Sequence, residues 1–253
     1  MNRIDIIGVP GVGKSTIIEE LRKRRKNNNW QTTNEAVKDI LEKHFKKDKY
    51  SVQDLVLLFS SVFHPLKKYV AVDKNKLNQF FKKKLSSKDF ILDTCIESFS
   101  NDRDTEPYMK AKRISFLVDT LEDLTLLDHY KPDKTILCDE SLSAKIFSFI
   151  INFNGSNDEK LMGILRDLYL PDAYILMEAD INEIVSRLNN REREMTTDHT
   201  GLSKKEILFK LQNKIKKNRK GVDLLSKIGI EGIIVDTTKS KLDSVIQIEE
   251  FLK

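Results

Sequence analysis

The chain has 253 residues, of which 40% are hydrophobic and 33% charged, and its formal net charge at pH 7 is +5. This length and composition describe a soluble globular protein with a sizeable core, in one large domain or two small ones. We expect no signal peptide and no membrane span, because the apolar stretch at the N-terminus is too short for either.

Cysteine and basic residues give two further indications. Cys95 and Cys138 lie in apolar surroundings without metal-ligand spacing, which predicts a reduced, cytoplasmic location. Basic residues cluster at 22–26, 82–84 and 214–220. Such clusters are typical of solvated helix faces, and a nucleic-acid footprint is the less favoured interpretation. A positive surface also suits ligands with several phosphates.

The first predicted elements surround residues 8–15, GVPGVGKS, which have the G-x-x-x-x-G-K-S pattern of a phosphate-binding loop. A short apolar run with isoleucines at 4, 6 and 7 predicts a strand before this loop. The helical spacing of Ile17, Ile18 and Leu21 predicts a helix after it. The order of strand, loop and helix favours nucleotide binding over the alternative, a glycine-rich turn with a solvated lysine.

The residue types of the loop fit this chemistry. Gly8, Gly11 and Gly13 allow backbone angles that let successive N–H groups point at phosphate oxygens, and the start of the helix adds a positive field. Lys14 is predicted to bridge the β- and γ-phosphates, and the Ser15 hydroxyl to bind Mg²⁺. The nucleotide-binding residues predicted in this segment are Gly8, Gly11, Val12, Gly13, Lys14, Ser15 and Thr16.

A second strand is predicted at 30–33. Asn34 and Glu35 follow at its carboxyl end, where parallel sheets place their ligands. From 37 to 130 the pattern is helical almost throughout. The stretch 89–99 looks like a strand at first sight, but its apolar residues recur at helical spacing, so we predict a helix there.

The third strand, predicted at 134–138, ends in Asp139 and Glu140 and has the Walker B pattern. Asp139 is predicted to hold Mg²⁺, usually through water, and Glu140 to orient or deprotonate the attacking group. The alternative is an acidic pair that caps the next helix. The phosphate-binding loop upstream favours the functional interpretation, more strongly for Asp139 than for Glu140.

Five predicted strands alternate with helices, at 3–7, 30–33, 134–138, 173–177 and 230–235. Alternation of this kind predicts the α/β class, with a parallel, doubly wound sheet in one domain over 1–253. The helices of 37–130 are expected to form an insertion over one edge of the sheet.

Local signals predict two helix starts in the last third of the chain. Asp180 with Glu183, and Ser203 with Glu206, have the capping-box spacing. Gly221 could interrupt the helix that Ser203 opens.

Three arginines form a second constellation. Helical spacing puts Arg187 and Arg191 on one side, and Arg193 falls in the polar segment 191–203, which is predicted to be a mobile lid. Guanidinium groups can meet the charge that phosphoryl transfer spreads over the moving group, and a closing lid excludes water. The alternative is surface ion pairing with the interleaved glutamates.

Four segments together carry a family resemblance: GVPGVGKST at 8–16, ILCDESLSAKIF at 136–147, PDAYILMEADINEIVSRLNNRER at 171–193, and VDTT at 235–238. From end to end they resemble the P-loop kinases of the nucleoside monophosphate kinase and deoxynucleoside kinase group, which includes the thymidylate kinases. The stretch 37–130 matches only in being helical, where the family keeps its acceptor-binding helices.

The resemblance implies roles for particular residues. Lys14 and Ser15 would serve the ATP phosphates and Mg²⁺, and Arg191 and Arg193 would be lid arginines. Glu35 falls where deoxynucleoside kinases keep a catalytic base, although the proline that usually follows is absent.

The same resemblance implies the rest of the nucleotide site. The loop after the last strand lies against the adenine in the family, which makes Thr237 and Thr238 nucleotide-binding residues. Arg187, from the arginine constellation above, is the remaining predicted nucleotide-binding residue.

One position departs from the family pattern. Thymidylate and deoxynucleoside kinases usually carry an arginine directly after the acid of the third strand, whereas this sequence has Glu140. The additional negative charge disfavours an anionic acceptor unless Arg103, Lys110 or Arg113 compensates. Arg103 and Arg113 are the predicted acceptor-binding residues.

These observations predict an ATP- and Mg²⁺-dependent kinase that phosphorylates a hydroxyl of a nucleoside, nucleotide or other metabolite. Its partner is then a small-molecule acceptor; membrane and nucleic-acid partners are not expected, and a homodimer is allowed. The alternative is a P-loop ATPase that couples hydrolysis to a protein or nucleic-acid partner, because an apolar strand that ends in Asp-Glu also occurs in such motors. A GTPase is disfavoured, since no Asn-Lys-x-Asp follows the fourth strand.

Overall fold

The structure is a computed structural model that describes residues 3–25, 29–46, 72–85, 93, 96–97, 106–139, 142–150, 158–166, 170–190 and 202–253. No helix within these ranges is long and apolar enough to cross a membrane.

Five parallel strands form one sheet: β1 (Arg3–Ile7), β2 (Trp30–Thr32), β3 (Thr135–Cys138), β4 (Ala173–Glu178) and β5 (Glu231–Asp236). Their order across the sheet is β2-β3-β1-β4-β5, so β1 is central and the chain reverses its direction of winding beside it. This confirms the predicted α/β class and the doubly wound parallel sheet. The carboxyl ends of β1, β3 and β4 meet at one edge, where such folds bind ligands.

The helices in the described ranges are α1 (Lys14–Arg24), α2 (Thr33–His44), α3 (Lys74–Leu85), α4 (Pro107–Tyr130), α5 (Leu142–Ile150), α6 (Asp158–Arg166), α7 (Ile181–Asn189), α8 (Lys204–Lys227) and α9 (Lys241–Phe251). Two apolar cores lie on opposite faces of the sheet. One is built mainly by α2 to α6 and the later turns of α8, and the other by α1, α7, α9 and the early turns of α8. Helices therefore cover both faces, as the apolar sequences of parallel strands require.

The second strand is one residue shorter than predicted, and the helix after it begins at Thr33 rather than at 37. The cause is a capping box that the sequence analysis missed. The Thr32 side chain accepts a hydrogen bond from Glu35 N, and the Glu35 carboxylate accepts one from Thr32 N at 2.9 Å. These two bonds satisfy donors that a helix start otherwise leaves unpaired.

The predicted helix starts are present. Ser203 and Glu206 form a reciprocal capping box at α8. Asp180 caps α7 by accepting from the backbone N–H groups of Asn182 and Glu183.

Two other predictions about helices have different outcomes. Gly221 does not interrupt α8, which is continuous from Lys204 to Lys227. The helix predicted at 89–99 lies largely outside the described residues, although Asp93, Ile96 and Glu97 are helical.

Candidate nucleotide-binding site

The glycine-rich segment connects the end of β1 to the start of α1 at the ligand-binding edge of the sheet. Gly11 and Gly13 have φ angles of +85° and +104°, which side chains rarely tolerate. Val12 N donates to Val9 O at 3.3 Å inside the loop, and Ile17 N donates to Gly13 O at 3.0 Å at the first turn of α1. The sequence signature and the backbone therefore agree on a compact glycine-rich loop at a helix N-terminus, a position that can bind anions.

Two glycines in this loop are required by close packing. A Cβ atom at Gly8 would lie 2.9 Å from Val12 Cγ1 and 3.0 Å from Met177 O. A Cβ atom at Gly11 would lie 2.8 Å from Leu188 Cγ on α7. The loop is thus held against β4 and α7, which limits its freedom before any ligand binds.

Lys14 begins α1, and its side chain folds back over the loop. The ammonium group donates to Gly8 O at 2.6 Å and to Val9 O at 3.3 Å. Lys14 is half-buried, whereas Ser15 and Thr16 are exposed at the first turn of α1. A cation folded back onto a glycine-rich loop at a helix N-terminus suits a polyphosphate ligand.

Arg187 and Thr237 both bind the backbone carbonyl of Val12 in the loop. Thr237 Oγ1 donates to Val12 O at 2.6 Å, and Arg187 Nη1 donates to the same carbonyl at 3.2 Å. Arg187 Nη2 donates to Thr237 O at 2.8 Å, and Arg187 Nε donates to the Glu183 carboxylate at 3.0 Å. The structure therefore brings together α7, the loop after β5 and the phosphate-binding loop.

Thr238 lies further out on the same loop. Its backbone N–H and hydroxyl both donate to the Asp236 carboxylate. The hydroxyl and then the backbone N–H of Thr238 hold the pKa of Asp236 below its usual value. These bonds shape the loop after β5.

At the end of β3, Asp139 is half-buried. It comes one residue after Cys138, which pairs with Asp5 of β1, so Asp139 lies beside the stretch that enters the phosphate-binding loop. Burial, with the nearby Asp5 charge, raises the pKa of the Cys138 thiol to about 12, and Thr33 Oγ1 donates to its sulfur. Cys138 is consequently a neutral, buried side chain at the end of β3.

A carboxylate inside β1 supports the turn after β3. Asp5 is fully buried, and its Oδ2 accepts from Ser143 Oγ at 2.5 Å and from Ser143 N at 3.3 Å at the start of α5. Arg3 Nε lies 3.2 Å from Asp5 Oδ1. The contacts of Asp5 with Ser143 and Arg3 were not predicted, because their only signal in the sequence is a lone arginine and a lone acid within an apolar strand.

Glu35 lies after β2 as predicted, but its carboxylate points toward the last turn of α1. It accepts from Thr32 N, and its oxygens lie 3.4 Å from Arg22 Nε and 3.3 Å from Arg25 Nη1. Arg22 is eight residues beyond Lys14, about 12 Å along a helix axis. Partial burial alone would raise the pKa of Glu35, but the Thr32 N–H and the two arginines lower it.

A small cleft of about 20 Å³ opens behind the loop, between the end of β4 and α8. Its walls are mostly apolar, and Arg219 donates through Nε and Nη2 to both carboxylate oxygens of Glu178 at its edge. Neither residue was predicted from the sequence, because the pair joins two elements that are distant in the chain.

Of the remaining predicted site residues, only Arg113 lies within the described ranges. Arg113 is half-buried on α4. Glu140, Arg191, Arg193 and Arg103 lie outside the described residues, so their roles stay predictions.

The described residues are suitable for Mg²⁺. The Ser15 hydroxyl and the Asp139 carboxylate are hard oxygen donors that follow β1 and β3, which are neighbouring strands of the sheet. Mg²⁺ in nucleotide sites typically takes one or two protein oxygens and completes its shell with phosphate and water. Asp139 and Ser15 would supply that part of the shell.

The sheet order, the loop after its central strand and the acid after the neighbouring strand define an α/β fold of the P-loop NTPase type. No family model matches the chain, and no curated protein matches it.

Among solved structures, the chain is similar to deoxyadenosine kinase from M. mycoides. The form described with products dCMP and a flexible dCDP shares 15% identity, with 99% of this chain and 98% of that chain covered and a TM-score of 0.46. The forms with dCTP and dATP have identities of 16% and 15%, the same coverage, and TM-scores of 0.43 and 0.44.

Proposed function

We propose that the chain is an ATP- and Mg²⁺-dependent kinase that transfers the γ-phosphoryl group to a hydroxyl of a nucleoside, nucleotide or other metabolite. The observation that carries this proposal is the loop between β1 and α1, where Gly11 and Gly13 have positive φ angles and Lys14 folds over the loop. That arrangement fits a polyphosphate better than any other ligand class.

Each part of the site has a task in the proposed reaction. The loop amides and Lys14 bind the ATP phosphates and align the γ-phosphorus with the acceptor oxygen. Ser15 and Asp139 would hold Mg²⁺, which would supply positive charge to the phosphate oxygens. Arg191 and Arg193, carried in on the lid, stabilise the charge that develops during transfer and exclude water.

Transfer to a hydroxyl requires a base that removes the acceptor's proton, and in this site the candidate bases are carboxylates. Glu35 and Glu140 are the two candidates, and the described contacts bear on the first. The two arginines and Thr32 lower the pKa of Glu35, which makes its carboxylate a weaker base than an unpaired one. Glu35 has to leave these partners before it can take a proton from the acceptor.

The test is an ATP-consumption screen across nucleosides, nucleoside monophosphates, sugars and polyols. A severalfold rise with one class of hydroxyl compound supports the kinase and identifies its acceptor class. Strong stimulation by DNA, RNA or a protein, with none by any small hydroxyl compound, overturns the kinase proposal in favour of a motor ATPase.

A further inference from the structure

The peptide unit between Val12 and Gly13 decides how the loop meets phosphate. A trans peptide directs its C=O and its N–H to opposite sides. The Val12 carbonyl points toward Thr237 and Arg187, so the Gly13 N–H points away from them, to the face of the loop on which the proposed function puts the phosphates. A rotation of this unit would reverse both groups and turn a carbonyl oxygen toward the anion.

This rotation is easy in a glycine-rich loop. It changes ψ of Val12 and φ of Gly13, and Gly13 already occupies φ +104°. Glycine populates positive and negative φ almost equally, so residue 13 itself contributes little preference for one orientation. Hydrogen bonds to the Val12 carbonyl therefore contribute to the preferred orientation of this peptide unit.

Thr237 is well placed to hold the Val12 carbonyl in its observed orientation. Its hydroxyl donates to Val12 O at 2.6 Å, and Thr237 N donates to Glu178 O at 2.8 Å, which anchors the threonine to the end of β4. Thr237 Oγ1 also lies 3.1 Å from Glu178 O, but a hydroxyl has one proton, and the shorter contact to Val12 O takes it.

The contact is shielded from water. Thr237 is 6% exposed and Val12 1% exposed. A hydrogen bond in such surroundings is stronger than one at the surface, and the carbonyl that loses it has little water to replace it. Arg187 Nη1 adds a second donor at 3.2 Å on the same carbonyl oxygen.

From this geometry we infer that Thr237 is a positioning residue for the phosphate-binding loop: its hydroxyl holds the Val12 carbonyl outward and so presents the Gly13 N–H to the phosphates. The inference rests on the proposed function, because it assigns Thr237 to the same nucleotide site. It differs from a contact with the base in one measurable way. An effect on the loop changes the affinity for any polyphosphate, with or without a base, whereas the loss of a contact with the base changes only the affinity for nucleotides.

The experiment compares Thr237→Val, which removes the hydroxyl at nearly constant shape, with Thr237→Ser, which keeps it. Thr125→Val is the matched control: its Oγ1 also donates to a carbonyl, Leu121 O, at 2.6 Å in a buried position, but within α4. Calorimetry gives the dissociation constants of Mg·ATP and of Mg·tripolyphosphate, which has no base. Circular dichroism confirms that each variant is folded.

Thr237→Val is expected to weaken both ligands by the same factor, roughly five- to tenfold, the equivalent of one hydrogen bond. Thr237→Ser should stay close to the wild type, as should Thr125→Val. A loss for ATP alone would show that Thr237 contacts the base, and unchanged binding of both ligands would show that it does not position the loop; either result overturns the inference.

The outcome for the kinase proposal is separate. Wild-type protein that binds ATP but shows no acceptor-dependent turnover refutes the kinase, while the comparison of dissociation constants still stands. Wild-type protein that binds neither ligand refutes both.

Discussion

The ring of Phe147 occupies the space in which a side chain at residue 221 would lie. A Cβ atom built on Gly221 would be 2.3 Å from both Cγ and Cδ2 of that ring. Phe147 is fully buried on α5, so α5 and α8 approach closely because residue 221 has no side chain.

Gly221→Ala is therefore expected to lower the free energy of unfolding, although alanine is the better helix former. Overpacking of this kind typically costs about 1–3 kcal/mol. Gly163→Ala is the matched control, since Gly163 is also helical and nothing lies within 4 Å of its Cβ position. That variant should gain up to about 1 kcal/mol from helix propensity. Urea unfolding of both proteins measures the difference, and equal stabilities would contradict the packing argument.

The sequence predicted the elements better than the contacts between them. Apolar runs and glycine spacing located all five strands and the phosphate-binding loop, because these signals are local. The same local signals misjudged Gly221, since its role depends on a ring 74 positions away in the chain, Phe147.

Parts of the site were predictable for the same reason. The loop motif around Lys14 is a local sequence pattern, helical spacing pointed to Arg187, and the family resemblance pointed to Thr237. The contact of Asp5 with Ser143 spans 138 positions and follows from strand register and helix packing, which no spacing rule contains.

Lys14→Ala is expected to abolish turnover and leave the fold intact, because the ammonium group bonds to the loop carbonyls Gly8 O and Val9 O and lies outside the apolar core. The thermal stabilisation given by Mg·ATP should also shrink. Lys23→Ala removes a lysine from the same helix that pairs with Glu19 at the surface, and it should behave as the wild type. Normal turnover of Lys14→Ala would remove the basis of the proposed function.

The lid arginines should act on the chemical step. Arg191→Ala and Arg193→Ala are each expected to lower kcat by about 10³-fold or more, with a small change in ATP affinity, because their contacts strengthen as charge develops in transfer. Single-turnover kinetics and calorimetry separate the two effects. Arg24→Ala, which breaks an ion pair with Glu249, controls for the loss of a surface arginine. If each lid variant alters only solubility or stability, surface ion pairing is the correct interpretation.

Because of His44, the free energy of unfolding should fall as the pH is lowered from neutral to mildly acidic. Burial, followed by the charges of Lys43, Lys76 and His129, lowers the pKa of His44 below 6.5, and its ring stacks on Tyr130 with centroids 4.1 Å apart. The folded state thus favours neutral His44, whereas the unfolded chain binds a proton below 6.5. The stabilising contribution is complete above 6.5 and is lost as the pH falls toward the folded pKa.

Urea midpoints at several pH values check this expectation. His44→Phe keeps an aromatic ring on Tyr130 but cannot titrate, so its midpoint should depend less on pH over this range. The same pH dependence in His44→Phe and the wild type would assign the effect to other groups.

The last prediction separates the two candidate bases. Glu35 is held by Thr32 N, Arg22 and Arg25, and its lowered pKa disfavours proton uptake. Glu140 follows the Mg²⁺-binding candidate Asp139 directly in sequence. We therefore expect Glu140→Gln to keep ATP binding and to lose roughly 10²- to 10⁴-fold in acceptor-dependent kcat, the usual contribution of a general base. Glu35→Gln should mainly reduce stability, because it weakens the capping box and two ion pairs. Measuring kcat, ATP affinity and the urea midpoint for both variants distinguishes the roles.

If kcat collapses in Glu35→Gln and survives in Glu140→Gln, then Glu35 is the base, and it must leave its arginines during the reaction. In that case Arg25→Gln should raise the pKa of Glu35 and move the acidic limb of the pH–rate profile to higher pH, a shift that a purely structural Glu35 would not produce.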